Sequence, residues 1–142
     1  MSTTVTKKAT IKRAWHLFDL KDKVLGREST KIAALLIGKA KTYFTPSLDC
    51  GDYVVVTNAA SVKVTGSKLM GKIYRHHTGH PGGFKEFTLS EMLHKDPRKV
   101  ITLSVSGMLP KNKLRADRLK RLKVFAGSEH SYSKIKELNH AS

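Results

Sequence analysis

The chain reads as an α/β protein, and three stretches predict that class. Tyr53 to Asn58 (YVVVTN) is a β-branched run without polar alternation, as expected of a strand covered on both faces. Ala14 to Leu20 (AWHLFDL) is a second short apolar run, rich in aromatics. Between them Leu25, Ile32, Ala33, Leu36 and Ala40 recur at helical spacing. Strand, helix, strand over about 45 residues describes a right-handed parallel crossover.

Residues 1–13 are rich in Ser, Thr and Lys and hold no acid. They are expected as a basic arm, disordered or ordered by RNA, ahead of a single domain over 14–127. Ala14 to Leu20 opens the fold, with Trp15 and Phe18 as core. The amphipathic helix follows, with Glu28 near its positive end and Gly38 near its stop. Thr45 to Asp52 carries Pro46 and Gly51 and reads as a loop into the second strand. Beyond Asn58 the signals shorten: Val62 and Val64 flank Lys63, Thr65 to Lys68 forms a turn, and Lys72 to His77 is a candidate strand.

Helix signals then return. Thr88 and Glu91 have the spacing of a capping box, with Phe87 and Met92 at the staple positions around it. Asp96 and Pro97 repeat the signal as N-cap and first helical residue. The residues after them conflict. Ile101, Leu103 and Val105 alternate with Thr102, Ser104 and Ser106, the period of a strand, whereas the Asp-Pro start argues helix. Helix is favoured, broken by Gly107 to Pro110. Lys111 to Lys123 holds seven cations and one acid, Asp117, so a helix there is basic on nearly every side. Val124 to Gly127 is expected as a last short strand, and 128–142 as a polar tail.

Charge narrows the partner. With 142 residues there is room for one domain with a real core but not for two. Lys and Arg number 27 against 11 Asp and Glu, a formal charge of +16. Such an excess on a small chain fits a polyphosphate partner. An anionic membrane is disfavoured, since no apolar run approaches the roughly 18 residues of a spanning helix. The single cysteine, Cys50, excludes an internal disulfide and fits a reducing, cytoplasmic setting.

Two segments offer themselves to RNA. Lys72 to Glu86 (KIYRHHTGHPGGFKE) surrounds Gly79, Pro81, Gly82 and Gly83 with donors from Arg75, His76, His77, His80 and Lys85. The glycines allow close backbone approach, and Thr78 to Lys85 is expected to be mobile until RNA orders it. A plain surface turn is the competing reading. In the basic segment Lys111, Lys113, Arg115, Arg118, Arg121 and Lys123 are expected on phosphates, against the alternative of a solvated face.

Sharper chemistry finds little support. Gly66 to Ile73 (GSKLMGKI) is one residue from a phosphate-binding loop, but Ile73 replaces the Mg²⁺-holding hydroxyl and the following IYRHH does not open a helix. His76 and His77, adjacent on a strand, point to opposite faces, and no Cys or carboxylate completes a metal set. Cys50 has no identifiable base. The eleven acids offer no obvious carboxylate pair. No catalytic residue, metal, cofactor or small-molecule substrate is expected. A DNA-binding module is weakened by the lack of a helix-turn-helix or zinc pattern.

The order of LGR (Leu25 to Arg27), GDYVVV (Gly51 to Val56), TGSK (Thr65 to Lys68), KIYRHHTGHPGG (Lys72 to Gly83), GMLP (Gly107 to Pro110) and LKVFAG (Leu122 to Gly127) resembles the bacterial-type large-subunit ribosomal protein thirteen family. The likeness covers roughly Trp15 to His130. It implies a three-layer α/β/α domain with a four-stranded parallel sheet, plus basic loops and tails. It also implies a non-enzymatic constituent of the cytoplasmic large ribosomal subunit, bound to large-subunit rRNA and neighbouring ribosomal proteins, and no homo-oligomer is expected. Arg27, Lys39, Lys41, Lys68 and Lys72 complete the candidate rRNA contacts. Glu28, Ser29, Arg115 and Tyr132 depart from the family pattern, and the usual Gln-Pro tail is missing. A non-ribosomal RNA-binding or RNA-processing protein is the alternative.

Overall fold

The computed structural model describes residues 6–132 and the backbone of 138–141. Strand β1 (Trp15–Asp19) lies parallel to β2 (Tyr53–Thr57), Trp15 opposite Tyr53 and Asp19 opposite Thr57. Strand β5 (Leu122–Val124) lies parallel to β2 on its other side. The elements between them are helix α1 (Leu25–Ile37), the short helix α2 (Lys68–Gly71), strands β3 (Ile73–His77) and β4 (Phe84–Thr88), and helices α3 (Leu89–Lys95), α4 (Pro97–Met108) and α5 (Leu114–Lys120).

The α/β class holds, and the four-stranded parallel sheet expected is met only in part by the domain range 14–127. That range supplies three parallel strands, in the order β5-β2-β1. Ile73–His77 leaves the sheet and pairs antiparallel with β4, a strand unforeseen in the sequence. Its exposed charges explain why: Arg75, His76 and His77 could not line a sheet covered on both faces. A further strand, β6 (Leu138–Ala141), runs parallel to the free edge of β1, from within the expected polar tail.

Burial follows from the pleat. Phe18, Val54 and Val56 alternate onto one face and are buried with Ile32 and Leu36 of α1 and Val100, Ile101 and Val105 of α4. Two successive crossovers step the same way across the sheet, so right-handed connections place α1 and α4 together on that face. On the opposite face Trp15 stacks on Tyr53 with ring centroids 4.4 Å apart, and Tyr132 closes on Trp15 at 5.2 Å. Among the described residues this face carries aromatic side chains rather than a helical layer. Trp15, expected as core, is half-buried there, whereas Phe18 is fully buried.

Local signals account for the helix boundaries. Gly38 caps α1 in the left-handed region (φ 79°), as its position implied. The Thr88 side chain accepts from the Glu91 N–H while Glu91 accepts from the Thr88 N–H, completing the capping box. Asp96 caps α4 with Pro97 in the first turn, and helix prevails over the alternating pattern of 101–106. The alternation fails because Val100, Ile101 and Val105 lie on one helical face against the core while Leu103 projects outward, 46% exposed. The basic segment is helical only over Leu114–Lys120, and the last strand starts two residues earlier than expected.

Of the expected basic arm 1–13, residues 1–5 lie outside the described residues, and 6–13 make contacts with the 43–51 loop. The Thr6 hydroxyl donates to the Tyr43 carbonyl at 3.0 Å, and the Tyr43 hydroxyl donates to the Lys12 carbonyl at 3.0 Å. Arg13 donates to the carbonyls of Gly51 (2.5 Å) and Asp49 (3.0 Å). These side chains give 6–13 partners on the 43–51 loop that composition alone does not reveal.

Candidate nucleic-acid interface

The candidate cations divide into two sets, and the dividing agent is a pair of carboxylates at the start of β2. Asp49 receives the Arg121 guanidinium, through both terminal nitrogens, and lies 3.8 Å from Nε of buried Arg118 and 3.5 Å from Arg13. Arg121 also donates to the carbonyls of Leu36 (3.2 Å) and Asp52 (3.3 Å). Asp52 accepts from Lys41, from the Ala14 N–H at 2.9 Å, and bonds His16 Nε2 at 3.1 Å. Lys41 further donates to the Lys12 carbonyl at 2.7 Å. Arg118 and Arg121 are 1% and 7% exposed, so they and Lys41, all three expected on phosphates, direct their charges toward carboxylates of the protein. Arg115, half-buried, is engaged with the Ser106 hydroxyl.

This cluster predicts an acid response. Burial pushes the Asp52 carboxyl up, but hydrogen bonds from His16, Lys41 and the Ala14 N–H outweigh it and leave the net value lowered from the ordinary 3.8. A lowered folded value means that Asp52 stabilises the fold fully above its ordinary range. That contribution is lost as pH falls below about 3.8 toward the folded value. In urea unfolding between pH 6 and 3, part of the acid-dependent loss of stability should therefore vanish in Asp52→Asn, which should start out less stable. An unchanged acid slope would remove Asp52 from this role.

The second set is exposed and converges. Arg27 at the start of α1, Lys63 before α2, Lys68 in α2 and Lys72 after it line one groove. Its floor is Leu25, Val64, Leu89 and Met108. Lys72 is steadied 5.2 Å over the Tyr74 ring. Met108 lies three residues before exposed Lys111, so chain reach keeps Lys111 within roughly 11 Å of the groove wall. Lys113 is exposed just beyond, and Lys123 is half-exposed on β5. Lys39 is exposed at the far end of α1, roughly 18 Å along the helix from Arg27, and lies outside this convergence.

The hairpin β3–β4 carries the third group. Arg75 pairs with Glu86 at 2.9 Å, His76 stands opposite Lys85, and His77 opposite Phe84. The segment 78–85, expected as a mobile loop, forms the turn of the hairpin. Its ends belong to a paired ladder, the Thr78 N–H donates to the Gly83 carbonyl (3.1 Å), and the Gly83 N–H to the His80 carbonyl (2.9 Å). Gly83 is buried in the turn, where a Cβ would lie 2.0 Å from the Thr78 hydroxyl and 2.8 Å from the His80 carbonyl oxygen. It serves the turn. Gly82, with φ 72° and open space around it, and His80 remain exposed at the tip.

Sequence reasoning missed Lys63, Lys95 and Lys99. The last two lie on α3 and α4 facing the hairpin, and the unforeseen strand β4 is what brings the hairpin to them. At the near-miss phosphate loop, Ile73 does begin a strand and not a helix.

A family model described as Ribosomal protein L13 matches residues 13–131. The chain belongs to the ribosomal protein L13 family. Relatives described as large ribosomal subunit protein uL13 include that of Geobacter sulfurreducens, 52% identical over 131 residues and covering 92% of each chain. That of Syntrophotalea carbinolica is 49% identical over 133 residues, 94% of each chain. The Clostridioides difficile relative is 50% identical over 133 residues, 94% of this chain and 93% of its own.

Against that family background, the unusual residues of this L13-family chain find partners inside it. Ser29 is buried and accepts from the Ser104 hydroxyl at 2.9 Å. Glu28, also buried, pairs with Lys31 at 3.3 Å. Tyr132 joins the aromatic cluster over Trp15.

Proposed function

We propose that this chain is a structural, non-enzymatic constituent of the cytoplasmic large ribosomal subunit, binding large-subunit rRNA beside neighbouring ribosomal proteins and supporting subunit assembly. Family membership and the names of its relatives support the setting. The observation that carries the reading is the convergence of Arg27, Lys63, Lys68 and Lys72 on one open groove, next to Lys111, in a chain of charge +16. Cations without buried carboxylates to neutralise them suit phosphates, and the groove admits a backbone that a flat face would not.

Within this proposal Arg27, Lys68, Lys72, Lys111 and Lys113 meet phosphates. Arg75, His76, His77, His80, Gly82 and Lys85 present the hairpin to RNA by shape and 2′-hydroxyl contacts, and Lys39 and Lys123 add peripheral charge. Residues 138–141 complete a sheet of four parallel strands in the working protein. Co-sedimentation tests the reading: the protein is expected in the large-subunit peak and to stay there through a moderate salt wash. Recovery with other RNA but not with large subunits would favour the non-ribosomal alternative.

A further inference from the structure

A second groove lies between the hairpin and helices α3 and α4, and it differs in character from the phosphate-lined one. It encloses about 570 Å³, within the usual range of small-ligand sites. Tyr74, Phe87, Met92 and Leu103 give it apolar walls, and Leu103 is 46% exposed, on the side of α4 away from the core residues Val100, Ile101 and Val105. The Tyr74 hydroxyl is buried without a hydrogen-bond partner among the described residues.

Charge selects the occupant. The acid at the rim, Asp96, is matched by Arg98 at 3.1 Å, and Arg75 by Glu86. Lys85, Lys95 and Lys99 have no carboxylate partner among the described residues, and Lys95 sits 4.7 Å over the Phe87 ring. Apolar and aromatic walls under unmatched ammonium groups suit a planar base joined to phosphate. A duplex, with its bases stacked inside, would present only its backbone here. We infer that this groove receives one unpaired nucleotide of RNA, its base against Tyr74, Phe87 and Leu103 and its flanking phosphates on Lys85, Lys95 and Lys99. The inference rests on the RNA-binding reading above and shares Lys85 with it, but concerns a different groove, single-stranded RNA and, in Lys95, Lys99 and Leu103, residues that reading does not use.

Methyl NMR of the full chain, titrated with random-sequence single-stranded RNA hexamers, tests it. The Met92 and Leu103 methyl signals should shift saturably with hexamers and stay in place with inorganic phosphate or an RNA duplex. Leu103→Asp and Lys99→Glu, both at exposed positions, should each lose about 10-fold in hexamer affinity, the scale of one stacked base or one well-placed phosphate. Their affinity for a large-subunit rRNA fragment should fall less, because the Arg27 groove is untouched. Equal shifts with phosphate or duplex, or unchanged hexamer affinity in both variants, would overturn the inference. If wild-type protein binds the rRNA fragment while Met92 and Leu103 stay unperturbed by hexamers, the nucleotide site falls and the rRNA reading stands. Failure to bind the fragment at all would overturn both.

Discussion

Gly51→Ala should lower stability by more than about 4 kcal/mol, enough to remove cooperative melting at ordinary temperature or to depress it by well over 10 °C. The added Cβ would lie 1.8 Å from the Leu36 carbonyl oxygen, 2.5 Å from the Leu36 carbonyl carbon and 2.9 Å from Arg121 Nη2. Two of those neighbours are backbone and cannot rotate away. The close approach exists because the chain entering β2 crosses the C-terminal end of α1 and satisfies its free carbonyls: the Asp52 N–H donates to Leu35 at 3.1 Å and Arg121 to Leu36. Gly107→Ala is the control. It lies in helix α4 with open space at its Cβ and should gain up to about 1 kcal/mol. A Gly51→Ala protein that melts like the wild type would refute this packing.

Arg121→Gln is the second large effect, a loss of about 3 to 5 kcal/mol, as for breaking a buried ion pair from one side. The guanidinium meets the Asp49 carboxylate and two carbonyl oxygens, and no shorter side chain reaches all three. Glutamine would leave Asp49 to Arg118 and Arg13, both less well placed. Lys113→Gln, at an exposed position, should change stability by less than about 0.5 kcal/mol. Chemical denaturation of the two variants side by side decides the matter. If Arg121→Gln were as stable as wild type yet weaker on RNA, Arg121 would belong to the interface.

Much of the frame was legible because its signals are local. The capping box at Thr88, the Asp96-Pro97 start and the Gly38 stop each depend on residues within one turn, and each is present in the fold. The runs at 14–20 and 53–58 declared two strands by composition, and the helix between them declared the pair parallel. The fate of individual cations was hidden, because it is set by partners far along the chain. Arg121 and Asp49 are 72 residues apart, and nothing about Arg121 in sequence separates it from exposed Lys113. The same holds for Gly83. A glycine reads as freedom, yet here it fills a turn too tight for a methyl group. Strand β4 escaped notice because Phe84 to Thr88 (FKEFT) pairs only with its own hairpin and shows neither alternation nor an apolar run.

The division of cations into those that hold the fold and those that face RNA is tested most directly by the salt dependence of rRNA affinity in the double variant Arg27→Gln, Lys72→Gln. Both side chains are exposed on the open groove, so the melting temperature should hold while the slope of log affinity against log salt flattens by about 1.4 to 1.8, two phosphate contacts' worth. A folded double variant with the wild-type slope would contradict the account and place the phosphate contacts elsewhere on the chain.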